Sequence, residues 1–225
     1  QGSKDNKNAI RLFEQFVMDY PNDNLVAEVY LSLGDLSISE VNPDDQPNFE
    51  QITNARKNYS LVRKSSQDIG LISDATFNEG GLLERVAENP EGIVNFYYTF
   101  DKNKDEILQK QEFAGADLNT TKPFDHFDLN KDGGLDFEEL FELATFETYS
   151  NVEKLYRDYQ ASYSNQEGAR VSEATEKVGF ACEKLGRPSE MLKMYYDNIE
   201  KFGNDPQNSG VDNLLSKYAK KYQEY

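Results

Sequence analysis

Tryptophan is absent from this 225-residue chain, and cysteine and histidine occur once each. A single cysteine, Cys182, rules out an internal disulfide. A single histidine, His126, rules out paired histidine metal ligands. There is also no glycine-rich phosphate cradle and no strand–turn–helix setting for a nucleophilic serine. No catalytic residue is therefore assigned, and the chain reads as a non-enzyme. Carboxylate pairs do not change this, because in a chain with 41 acidic residues a pair means little without a pocket. Basic residues are scarce as well: 24 Lys and Arg leave a net charge of −17. Nucleic acid and anionic membrane both need basic surface, which excludes them as partners. No apolar run approaches the ~20 residues that span a bilayer.

What is present points to helices. The chain has 14 Tyr, 14 Phe, few β-branched runs, and seven prolines placed between segments. The fold class expected is all-α. At this length a sizeable core can be buried. Cys182, within the helical stretch Val178 to Leu185, is expected to be a small core residue. His126 is expected on an exposed helix edge. Gln1-Gly2-Ser3 looks like the remnant of an expression-tag protease site. The native N-terminus is therefore expected to be missing, and the lack of a targeting segment carries no information.

The richest stretch runs from Asp128 to Glu139. Calcium takes six to eight oxygen ligands, and a twelve-residue loop supplies them from positions 1, 3, 5, 7, 9 and 12. Here those positions hold Asp128, Asn130, Asp132, the Gly134 carbonyl, Asp136 and Glu139, the last as a bidentate ligand. Gly133 falls at position 6, where the chain turns sharply. Leu135 at position 8 is the apolar residue that packs the loop against a neighbour. An upstream stretch, Asp101 to Glu112, repeats the spacing with Asp101, Asn103, Asp105, the Ile107 carbonyl, Gln109 and Glu112. Leu108 is its counterpart of Leu135. Tyr97 and Phe100 precede one loop as Phe124 and Phe127 precede the other, at the spacing of an apolar helical stripe.

The two loops are not equal. Position 6 of the upstream loop is Glu106, and a non-glycine residue in a left-handed conformation costs on the order of 1–2 kcal/mol. Four acids against three lysines leave the upstream loop at −1, whereas five acids against one lysine leave the downstream loop at −4. Affinity follows ligand charge and site rigidity, so the downstream loop is expected to fill first. Residues 113–127 must hold an outgoing helix, a turn at Asn119 to Pro123 and an incoming helix, with Pro123 in its first turn.

These residues resemble a pair of EF-hands, and the compact linker is similar to that of bacterial paired EF-hands. The resemblance implies helix–loop–helix units and bound Ca2+, in the downstream loop first and in the upstream loop second. Sensor-type hands open an apolar, methionine-rich groove on binding calcium. Methionine occurs only at positions 18, 191 and 194, all outside the loops. A structural or weakly regulatory metal is the reading that follows.

Helical patterns flank the loops. They run from about Asn6 to Tyr20, Leu25 to Ser39 and Phe49 to Ser65, with residues 42–47 as a loop. A fourth, about Leu71 to Asn89, is expected to be interrupted at Gly80-Gly81 and to end before Pro90. Beyond the loops, no Gly or Pro occurs from Phe137 until Gly168, so a helix of about 25 residues is expected there. Ala174 to Leu185 and Ser189 to Phe202 form a further pair joined at Gly186-Arg-Pro188. Gly203 to Pro206 closes this pair, and a last helix covers about Val211 to Tyr222.

Phe13-x2-Phe16-x3-Tyr20-Pro21, Ala27-x2-Tyr30-Leu-x-Leu-Gly34 and Ala55-x3-Tyr59 resemble tetratricopeptide (TPR) repeats. In such repeats small residues let helices approach while aromatics fill the groove between them. The organisation expected is a TPR-like segment at 4–90, an EF-hand pair at 91–145, and a second TPR-like segment at 146–225. The implied function is a calcium-binding adaptor that holds a protein or peptide partner, with Ca2+ fixing the arrangement of the two halves. The alternative is an assembly scaffold in which Ca2+ only staples the fold. The repeats are similar to those of bacterial cell-envelope proteins. The periplasm or cell envelope is therefore the expected location, with the cytoplasm as the alternative.

Overall fold

A computed structural model describes residues 2–39, 46–116, 118, 120–202, 219, 220, 222 and 223, with side chains from residue 5 onward. The fold is all-α. Among the described residues, nine α-helices account for nearly all regular structure, and the only strands are two-residue pieces. The closing turn at 203–206, the last helix over 211–222 and most of the 42–47 loop lie outside the described residues or largely so. The chain divides into two compact units, Gln1–Glu147 and Thr148–Tyr225.

In the first unit, α1 (Gly2–Asp19), α2 (Val26–Ile38), α3 (Phe49–Ser65) and α4 (Ile69–Glu88) follow one another in the chain. Helix α3 begins where it does because Asn48 and Gln51 form a reciprocal cap: each side chain accepts the other's backbone N–H at 2.9 Å. Asp68 opens α4 in a simpler way, its carboxylate accepting from the N–H groups of Gly70 and Leu71. Ile52, Ala55, Tyr59 and Val62 line the inner face of α3 and meet Ala27 of α2 and Ala75, Leu82 and Val86 of α4 in one core.

Gly34 fixes the closeness of α2 and α3. A Cβ there would lie 2.5 Å from Cε1 of Tyr59. The Tyr59 ring cannot move aside, since it is fully buried and its hydroxyl donates to Asp35 at 2.8 Å. Overpacking of this kind costs about 1–3 kcal/mol, partly offset by up to ~1 kcal/mol of helix propensity. Gly34→Ala is thus expected to destabilise by about 1–2 kcal/mol in thermal unfolding. Gly81, on the exposed side of α4, would place a Cβ in open space, with nothing within 4 Å. Gly81→Ala should instead stabilise by roughly 0.5–1 kcal/mol.

The break expected at Gly80-Gly81 does not occur, and α4 runs unbroken for 20 residues. Two glycines weaken a helix by about 1 kcal/mol each. Burial of Phe77, Leu82, Leu83 and Val86 on either side of them outweighs that cost.

Helix α5 (Glu91–Tyr97) leads through a 3-10 turn, Tyr98–Phe100, into the upstream loop, and α6 (Lys110–Gly115) leaves it. The incoming helix expected before the downstream loop is only a 3-10 turn, Phe124–His126. Pro123 stands just before that turn, in an extended conformation, and not inside a helix. Four residues between Pro123 and Asp128 are too few to nucleate an α-helix. Helix α7 (Phe137–Tyr163) then runs for 27 residues without a break.

The second unit packs the later part of α7 with α8 (Val171–Lys184) and α9 (Pro188–Phe202). Its core includes Val152, Tyr156, Ala174, Val178, Cys182 and Met191, each fully buried. Gly179 repeats the device seen at Gly34, since a Cβ there would lie 2.4 Å from Cε1 of Tyr195. No helix among the described residues is long and apolar enough to cross a membrane.

Candidate metal centre

The two acidic loops lie side by side and are joined by a minimal ladder. Strands β1 (Leu108–Gln109) and β2 (Gly134–Leu135) pair antiparallel, with Leu108 opposite Leu135 and Gln109 opposite Gly134. Both leucines are fully buried, among Val94, Tyr97, Phe124, Phe127 and Leu140. The structure supplies a steric reason for Gly134 that ligand spacing does not. A Cβ on Gly134 would sit 2.1 Å from Cγ2 of Ile107, the position-7 residue of the other loop.

The same internal hydrogen bonds recur in the two loops and fix the side-chain oxygens against the loop backbone. Asp132 N–H donates to Asn130 Oδ1 at 2.9 Å and Gly134 N–H to Asp132 Oδ1 at 2.9 Å. The upstream equivalents are Asp105 N–H to Asn103 Oδ1 at 3.0 Å and Ile107 N–H to Asp105 Oδ1 at 3.1 Å. Glu139 reaches back across its loop, accepting from Leu129 N–H at 2.8 Å and Asp136 N–H at 3.2 Å. Glu112 does the same with the N–H groups of Lys102 and Gln109. Asp136 Oδ1 in turn accepts from Glu139 N–H at 3.0 Å, whereas Gln109 turns its amide to Asp105. The turns require positive φ at positions 4 and 6, which are Lys104 and Glu106 upstream and Lys131 and Gly133 downstream.

The first ligand position separates the loops. Asp101 is half-exposed, and both its oxygens accept backbone hydrogen bonds, from Lys104 at 2.7 Å and Glu106 at 2.9 Å. Asp128 is only 9 % exposed. Its Oδ2 accepts from Gly133 at 3.2 Å, but Oδ1 is buried with no hydrogen-bond partner among the described residues. A carboxylate oxygen buried without a donor is costly unless a cation satisfies it. The same loop carries Asn130, Asp132, Asp136 and Glu139, a hard, oxygen-only donor set whose chemistry fits calcium and not a softer metal. The chain's residues therefore fit the group that the loop spacing implies, and the downstream loop fits it better.

Glu106, at φ 64°, carries the left-handed strain that its position in the sequence implies. Glu106→Gly is expected to raise the metal-free stability by up to about 1 kcal/mol, read by chemical denaturation in chelator. A loss of stability would show that the side chain supports the loop despite its backbone.

A second cluster of potential ligands was not foreseen from the sequence. Glu153, Cys182 and Glu190 bring one ligand atom each within 4.8 Å of one another in the second unit. Two arginines already occupy it. Arg157 pairs with Glu153 at 2.7 Å and with Glu190 at 2.6 Å, and Arg187 pairs with both acids. Burial alone would raise the Glu153 carboxyl, but hydrogen bonds from Arg187 and Arg157 hold it below the usual carboxylate range. Burial, and after it the Glu153 carboxylate, pushes the Cys182 thiol up to about 11. A neutral thiol among paired charges is a poor metal ligand, and the group reads as an ion-pair network that joins α7, α8 and α9. Cys182 is a core residue with polar neighbours. His126 is exposed, as expected, with its ring edge-on to Phe127 and Phe146.

Comparison of this chain with known protein families, with curated proteins and with solved structures finds no match.

Proposed function

We propose that this protein is a non-enzymatic calcium-binding adaptor or scaffold, with paired EF-hand loops set in TPR-like helical hairpins. The observation that carries the reading is Asp128 Oδ1, buried and unpartnered at the first ligand position. Asp128, Asn130, Asp132, the Gly134 carbonyl, Asp136 and Glu139 would hold the stronger calcium ion. Asp101, Asn103, Asp105, the Ile107 carbonyl, Gln109 and Glu112 would hold the weaker one. The ion supplies positive charge to oxygens that otherwise repel one another. The last ligand, Glu139, lies at the start of α7, a helix with no Gly or Pro. Calcium at Glu139 would fix the arrangement of the two helical halves through that helix.

A protein or peptide partner has a candidate seat in the first unit. A cleft of about 1030 Å³ opens between α1, α2 and α3, with Ile10, Val17, Leu33 and Leu61 among its apolar lining and Asn6, Asn54 and Asn58 among its polar groups. Pockets of this size and mixed lining suit ligands with both apolar and hydrogen-bonding groups. In the alternative, the metal only staples a scaffold for assembly. Partner capture in calcium and in chelator separates the two, since only the adaptor reading makes capture depend on the ion. The periplasm or cell envelope remains the location we favour, because abundant calcium outside the cytoplasm would fill even the weaker loop.

Calorimetric titration with calcium tests the core of the reading. Two sites of unequal strength are expected, the stronger one lost in Asp128→Ala. A titration showing no calcium uptake by the unaltered protein refutes the assignment.

A further inference from the structure

The segment that brings Asp128 to the metal and the helix that brings Glu139 to it are fastened together away from the loop. Glu147 of α7, 9 % exposed, accepts two hydrogen bonds from Thr121, one from its backbone N–H at 2.7 Å and one from its hydroxyl at 2.8 Å. One residue earlier on α7, the Phe146 ring meets Phe127 edge-on at 5.8 Å, and Lys122 lies 5.9 Å from its centroid. Phe146 stands seven residues beyond Glu139, close to two full turns, so the two share one face of the helix. Phe127 is the residue directly before Asp128.

We infer that Glu147 is a positioning residue for the downstream metal site, holding the Asp128 and Glu139 ligands at their binding separation whether or not metal is present. The inference rests on the calcium reading and deepens it. An incoming segment of one 3-10 turn has only a few local backbone hydrogen bonds, His126 N–H to the Pro123 carbonyl and the N–H groups of Phe127 and Asp128 to the Phe124 carbonyl, which hold the turn together but do not aim it at α7. Its direction must come from tertiary contacts: Lys110–Asp125 and Phe113–Phe124 tie it to α6, and Thr121–Glu147 and Phe127–Phe146 tie it to α7, the helix that carries Glu139. The same clamp prevents the two flanks of the loop from swinging apart, so calcium binding here preserves the closed form and exposes no apolar groove. Tyr97, at the end of α5, belongs to the same assembly: burial, then the nearby Glu147 carboxylate, pushes its phenol up.

The test is the rate of calcium release, read by stopped-flow chelator chase in an Asp101→Ala background so that only the downstream site is followed. Outer-shell partners of metal ligands typically contribute 10–100-fold to affinity, so Glu147→Ala should speed release about tenfold. Glu147→Gln keeps an acceptor oxygen for both Thr121 donors and should stay within about twofold of its parent. Thr121→Val, at an exposed position, removes one donor without threatening the fold and should give about a threefold change. A hydrophobic dye should show no calcium-dependent increase in the parent. Release at the parental rate in both Glu147→Ala and Thr121→Val overturns the positioning role and leaves calcium binding intact. A calcium-dependent dye increase in the parent overturns the closed clamp. A parent that takes up no calcium overturns the metal reading itself, and the inference with it.

Discussion

Calcium at a thousandfold excess over its dissociation constant is expected to stabilise the protein by about 4 kcal/mol, and Asp128→Ala is expected to abolish most of that gain. The more telling half of the result is the metal-free half. Asp128 Oδ1 is buried without a donor, so in chelator the carboxylate is a burden on the fold as well as a hydrogen-bond acceptor for Gly133. An unsatisfied buried polar group costs about 1–3 kcal/mol, which roughly cancels the one bond the side chain makes. Asp128→Ala should therefore leave stability in chelator nearly unchanged while lowering it sharply in calcium. Asp101→Ala should behave in the opposite way. Both Asp101 oxygens are engaged by backbone N–H groups, so its loss removes two bonds even without metal and less of the calcium-dependent gain. Chemical denaturation of the two variants, each in calcium and in chelator, gives the four numbers. Equal losses for Asp128→Ala under both conditions would mean that no cation completes this carboxylate.

Much of the fold was legible because helix boundaries are local. The apolar pattern from Phe49 to Ser65 marks α3, and Pro90 the limit of α4, within a few residues of sequence. The position-8 leucines were legible for a different reason: the twelve-residue spacing fixes which residue points away from the ligands, and Leu108 and Leu135 do face each other. Gly80-Gly81 misled because propensity is a weak prior, and the burial that overrides it depends on α2 and α3, which no local window contains. The incoming helix before Asp128 failed on length alone, since Pro123 leaves too few residues to form it. Contacts between distant residues were out of reach altogether. Nothing near Gly134 in sequence reveals that Ile107 lies against it. Nothing near Cys182 reveals Glu153 and Arg157, about a helix-length upstream. The same holds for Thr121 and Glu147, 26 positions apart, which is why the clamp became visible only in three dimensions.

Leu135→Ala is expected to cost about 3–5 kcal/mol, the range for a leucine removed from a core that cannot collapse around the loss. The site is of that kind. Leu135 is 0 % exposed, and its neighbours are held from several directions: Leu108 across the ladder, and Phe124, Phe127 and Leu140 around it. Leu129 belongs to the same loop, at position 2, and is 61 % exposed. Leu129→Ala should therefore change stability by less than about 0.5 kcal/mol. The contrast isolates burial from composition, since the same substitution is made in one loop six residues apart. The effect should also reach the other loop. Leu108 loses its partner when Leu135 is truncated, so calcium uptake upstream should weaken along with uptake downstream, though Leu135 contributes no ligand there. Titration of Leu135→Ala with calcium, beside its unfolding curve, checks both consequences. An upstream site left at full strength would show that the two loops bind independently and that the leucine pair serves the core alone.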